Sequence, residues 1–222
     1  MPSRRMWIIA GTVVGVVAVG AVAGPLVYAA LQEDAPPATT VQAQDSDAPL
    51  TDVTDGTWTI GAGSSAGYRV DEVLNGDDVT VAGTTDQVTG SLVVSGGDLQ
   101  SAEVDVDMAS VATDSGRRDS YFRDNVIDVA ANPTATFAVT QAVDLPELTG
   151  TPVTVPVAGE LSVHGVTQQV TVDLSVVRTA QGVEASGSIP VTFADYDVTP
   201  PDLGFVSVED TGSVEFFLVL TQ

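Results

Sequence analysis

His164 is the only histidine in the 222-residue chain. A single imidazole could serve as the general base of a Ser-His-Asp arrangement, with Ser162 or Ser110 as the nucleophile. Such a site on a strand–turn–helix elbow is written G-x-S-x-G, and no such elbow is present. His164 falls on the polar phase of its run, directly before Gly165. There a hydrogen bond that steadies a hairpin accounts for it without catalysis, and no catalytic residue is assigned.

Arg117-Arg118-Asp119 is the other cluster with chemical potential. Guanidinium forks match the oxygens of a phosphate or a carboxylate. The same three residues also suit an internal ion pair at a helix start, with Asp119 as a cap. Asp77-Asp78 and Asp86 invite a calcium reading. They lack the spaced D-x-D-x-D-G loop and read as a solvated turn. No pair of carboxylates stands out for glycoside hydrolysis. There is no cysteine, which removes disulfides, thiolate nucleophiles, Cys-ligated zinc and lipid attachment through sulfur. No metal site and no cofactor is assigned.

Thirty acidic residues stand against seven basic ones, for a net charge of -23. That field repels a phosphate backbone and excludes nucleic-acid binding. Hydrophobic residues make up 44% of the chain, enough for a packed domain.

The elements that must position these groups fall into four stretches. Residues 1–6 are a short basic lead with Arg4 and Arg5. Residues 7–31 carry no charge and number 25, against about 20 needed to cross a bilayer core. Trp7 and Tyr28 sit near the two ends, where interfacial rings prefer to lie. Arginines before the span and acids after it place the N-terminus in the cytoplasm and the remainder outside. A cleaved signal peptide, cut near Ala21-Val22-Ala23 or Ala29, is the rival; the length favours a retained single-pass anchor in the cell membrane. Residues 32–55, rich in Pro, Ala, Thr, Asp and Gln, read as a flexible, disordered linker.

From Gly56 to Gln222 the pattern has period two. Val104, Val106 and Met108 alternate with acids, and Val170, Val172, Leu174 and Val176 with polar residues. Leu161 and Val163, then Ile189, Val191 and Phe193, then Val214, Phe216, Leu218 and Leu220 repeat the theme. This is the signature of antiparallel strands with one buried face. Turns are expected at Asn75-Gly76-Asp77, Ser95-Gly96-Gly97, Gln181-Gly182 and Thr211-Gly212. A short helix is expected over 119–128, ended near Asn132-Pro133. Strands that share one apolar face close into a barrel or stack as a sandwich.

Several stretches in order resemble the YceI-like family of lipid- or polyisoprenoid-binding proteins. They are Gly56-Thr57-Trp58-Thr59-Ile60 with Ala66-Gly67-Tyr68-Arg69-Val70, and Val88-Thr89-Gly90-Ser91-Leu92. Asp107-Met108-Ala109-Ser110-Val111, Arg117-Arg118-Asp119 and Asn132-Pro133-Thr134-Ala135-Thr136-Phe137 resemble the family's "RD" helix and the strand after it. Gly159 to Thr167, Phe193 to Val198 and Asp210 to Phe216 are similar to its later hairpin and final strands. The resemblance implies an all-β, lipocalin-like antiparallel eight-stranded β-barrel with one short helix. It also implies an elongated apolar pocket for an isoprenoid or other long-chain lipid. Val126-Ile127 stand where the family carries an aromatic pair, and Asn132 replaces an aromatic before Pro133, which marks a leaner, anchored subfamily.

The expected pocket wall is Tyr68, Val70, Val104, Val106, Tyr121, Phe137, Leu161, Phe193, Tyr196 and Phe205, with Arg118 and His164 as polar head-group contacts. A dry, packed barrel has the same alternation, so only the resemblance favours a cavity. Three functions follow in order. The first is non-catalytic carriage of a long-chain lipid at the outer face of the cell membrane. The second is a dry-core interaction domain for a protein partner whose identity the sequence does not give. The third is a lipid or ester hydrolase built on His164.

Overall fold

The computed structural model describes residues 34–45, 48–51 and 55–222. The apolar run 7–31 lies outside the described residues. No helix among the described residues is long and apolar enough to cross a membrane.

The period-two runs form strands. The first five are β1 (Gly56–Ile60), β2 (Ser65–Leu74), β3 (Asp77–Thr85), β4 (Val88–Ser95) and β5 (Asp98–Asp107). After a helical insertion come β6 (Thr134–Val139), the two-residue β7 (Val143–Asp144), β8 (Val153–Val163), β9 (Val166–Arg178), β10 (Val183–Thr192) and β11 (Val206–Thr221). Every ladder is antiparallel. Eight strands close in the order β1-β4-β5-β6-β8-β9-β10-β11, sealed by Thr59↔Thr221 and Ile60↔Leu220 between β1 and β11. The β2–β3 hairpin widens the wall by pairing with the first part of β11. Eight strands leave an interior that side chains can fill or that can hold one small ligand.

Three two-residue hairpins set the register. Asn75-Gly76, Gly96-Gly97 and His164-Gly165 all have positive φ, at 53°, 97°, 67°, 88°, 53° and 75° in turn. Such turns match the right-handed twist of paired strands. Prolines fall where a ladder has only one side. Pro156 of β8 pairs with Asp173, while β6 pairs with β8 only from Gly159 onward. Pro190 of β10 pairs with Ser213, while β9 leaves β10 after Ser186. A missing N–H costs no ladder bond at such places.

Thr211-Gly212, expected as a turn, lies inside β11. The register to β2 shifts between Val208 and Gly212, which makes a bulge in a 16-residue strand. A Cβ on Gly212 would come 2.6 Å from the Arg69 carbonyl oxygen, so the close approach of β2 selects glycine here.

The short helix α1 runs Gly116–Tyr121 and widens into a π turn over Phe122–Val126, closed by Ile127 N–H to Phe122 O at 3.0 Å. It begins three residues before the expected start. Asp119 does not cap it: its carboxylate reaches back to Thr113 N and Oγ1 at 2.8 and 2.7 Å. Asn132 ends the turn by donating to Ile127 O at 2.8 Å, a bond that an aromatic could not make. The insertion covers one end of the barrel and meets β3 through the Thr84↔Ala112 bridge.

The described residues of the linker expected over 32–55 belong to no helix or strand, yet they are fastened to the barrel. Asp34 accepts from Thr80 N, and Ala35 donates to Thr80 O. Val41 is buried and donates its N–H to Ser186 Oγ. Gln44 and Thr51 donate to Gly150 O and Thr179 O. Each partner lies far along the chain, so local composition carries no trace of this strap.

Candidate functional site: an apolar cavity along the barrel

Alternation aims one row of each strand inward. On β2 the row is Ala66, Tyr68, Val70, Glu72 and Leu74; on β11 it ends in Val214, Phe216, Leu218 and Leu220. These rows do not meet at the axis. They enclose a cavity of about 1150 Å³ with an almost wholly apolar wall. That exceeds the roughly 300–1,000 Å³ usual for small-molecule sites. On β11 the wall runs from Val206 to Leu220, about 46 Å along the strand and roughly 35 Å along the axis at a typical tilt.

All ten residues expected on a pocket wall lie on this one. Tyr68 and Val70 come from β2, Val104 and Val106 from β5, Phe137 from β6 and Leu161 from β8. Tyr121 comes from α1, Phe193 and Tyr196 from the 3-10 turn after β10, and Phe205 from the loop before β11. Arg118 joins them. His164 does not: its turn conformation carries the ring away from the cavity, where Nδ1 bonds Tyr196 O at 3.2 Å. Neither candidate nucleophile meets it. Ser162 Oγ pairs with Thr167 Oγ1 at 2.7 Å, and Ser110 Oγ with Thr85 Oγ1 at 2.6 Å.

The two ends differ. At the helix end Tyr121, Leu203 and Phe205 are exposed large apolar residues, Phe205 by half of its surface. Arg117 is exposed beside them. Below this rim Glu72, only 5% exposed, receives Arg118 at 3.2 Å, and Arg118 also holds Asp114. Arg118 of the "RD" motif is thus paired with a carboxylate 46 positions away. The far end carries Trp58, Leu148, Glu147 and Arg178. Glu72, Trp58 and Arg178 also line the cavity, beyond the residues expected from the sequence. All three stand on inward phases, and that phase was the available signal.

Tyr68 stacks on Phe122 at 5.1 Å and 21° between planes. Burial pushes its phenol up to about 12, against a smaller opposing pull from Arg118. The neutral form is favoured in the fold, so stability is intact below about pH 10 and is lost as pH rises toward 12. Urea unfolding should show a loss of roughly 2 kcal/mol across that window that Tyr68→Phe removes. Equal alkaline slopes for the two proteins would contradict the burial of this hydroxyl.

A model of the YceI-like domain matches residues 58–220. No curated protein matches the chain. A solved polyisoprenoid-binding domain from Saccharophagus degradans, implicated in plant cell wall breakdown, is 21% identical. It superposes with a TM-score of 0.61 over 74% of this chain and 97% of that one. BcnA of Burkholderia cenocepacia is 19% identical, with a TM-score of 0.58 over 71% and 96%. At these identities the likeness is one of fold.

Proposed function

The chain belongs to the YceI-like family, and on that premise we propose that its barrel binds an isoprenoid or similar long-chain lipid without catalysis and carries it at the outer face of the cell membrane. The observation that carries this reading is the continuous apolar cavity of about 1150 Å³. An open apolar space inside a fold is costly when nothing fills it. A long apolar chain would gain about 0.8 kcal/mol for each CH₂ it buries. The S. degradans relative is a polyisoprenoid-binding domain, which supports this class of ligand.

Support for a membrane location comes from the sequence and from the strap. The uncharged run ends at Leu31, and Asp34 is already bonded to the edge of β3. With 7–31 as a retained anchor, the barrel sits close to the bilayer. The exposed Leu203 and Phe205 at one rim then offer a short path for a lipid chain between bilayer and cavity.

Trp58 reports on the cavity directly, and Trp7 is the only other tryptophan. In a Trp7→Phe chain, energy transfer from Trp58 to a dansyl-labelled polyprenol should saturate at one ligand per chain. No saturable transfer would sink the carrier reading and leave the interaction-domain reading in its place.

A further inference from the structure

The inward row of β9 runs Val172, Leu174, Val176 and then Arg178. Three apolar residues are followed by Arg178, which lines the cavity and is partly exposed. Its main chain is fixed, with the N–H donating to Thr149 O at 2.9 Å and the Cα paired with Val183, which in turn pairs with Leu220. Its Nε is buried and has no hydrogen-bond partner among the described residues. Glu147 shares this end of the cavity, but it is exposed and makes no ion pair with Arg178 among the described residues. Arg118, by contrast, is committed to Glu72 and Asp114. A buried donor left unpaired is disfavoured. A guanidinium with a buried, unpaired N–H at one end of an apolar cavity matches a planar or tetrahedral oxyanion.

We infer that the Arg178 end of the cavity is a polar subsite for the anionic oxygen head, carboxylate or phosphate, of a long-chain amphiphile whose tail runs toward α1. This rests on the lipid-carriage reading and adds to it a head-group class and a direction. The ligand lies head-in beside Trp58, Leu148 and Arg178, and the rim of Leu203 and Phe205 meets the tail.

The test holds the tail constant and varies the head. Farnesol, farnesoic acid and farnesyl phosphate are dialysed to equilibrium against the full chain in lipid nanodiscs, with empty nanodiscs as the blank. The wild-type chain should bind the acid or the phosphate at least about 10-fold more tightly than the alcohol. Arg178→Gln should bring all three to within about 2-fold, with a far-UV circular dichroism spectrum and a melting temperature like the wild type's to show that the variant is folded. Whichever anion binds tighter assigns the head as carboxylate or phosphate. A preference that survives Arg178→Gln, or no preference in the wild type, overturns the subsite and leaves carriage standing. A preference removed by Arg117→Gln instead places the head at the helix end and equally overturns it. If none of the three ligands binds, carriage itself fails and the subsite with it.

Discussion

Replacing Arg118 with methionine will lower the unfolding free energy by about 3–5 kcal/mol. Glu72 is on the inward row of β2, between Val70 and Leu74, and pairs across the sheet with Val79 and Val208. Its carboxylate is 5% exposed, and Arg118 is its hydrogen-bond partner among the described residues. Removing the guanidinium leaves a buried charge among valines and leucine. Removing both charges leaves only apolar groups of similar size. Arg118→Met combined with Glu72→Met should therefore recover most of the loss, to within about 1 kcal/mol of the wild type. Urea denaturation of the two single variants and the double variant measures this as a cycle. A loss below about 1 kcal/mol for Arg118→Met would mean that water reaches Glu72 and screens its charge.

Ala185→Phe will cut lipid binding at least 100-fold while leaving the fold as stable as before, or slightly more so. Ala185 is buried on the cavity wall, paired with Val176 on one side and Leu218 on the other. A ring at this position enters the bore partway along its length. Excluding only four CH₂ groups of a ligand forfeits about 3 kcal/mol, which is more than 100-fold in affinity. The stability change separates a hollow barrel from a solid one. In a packed core the added ring costs about 1–3 kcal/mol by overpacking. In a cavity of this size it finds room and buries apolar surface. Thermal unfolding beside a binding titration reads both quantities. A clearly destabilised variant would mean that the interior is already filled by protein.

The strands were legible because burial on one face imposes period two on the sequence. Val172, Leu174 and Val176 are as plain in the sequence as on β9. The hairpins at Asn75-Gly76 and His164-Gly165 were legible because their backbone conformation restricts residue type. Thr211-Gly212 carries the same composition and is a bulge, because the reason for its glycine is the neighbouring β2 carbonyl. Arg178 escaped notice because a charge after an apolar row looks like the end of a strand. Glu72 was lost among neighbouring acids. The tie from Val41 to Ser186 spans 145 positions and leaves no local signature. Whether the inward rows meet or stand apart depends on the barrel's closure and on small residues such as Ala185, which alternation does not encode.

The most direct test is native mass spectrometry of the full chain taken from its membrane without added ligand, beside Ala185→Phe prepared the same way. The expected result is one additional mass in the long-chain lipid range per chain, lost on unfolding and absent from Ala185→Phe. A bare chain mass that remains bare after incubation with polyprenols and isoprenoid quinones would contradict lipid carriage.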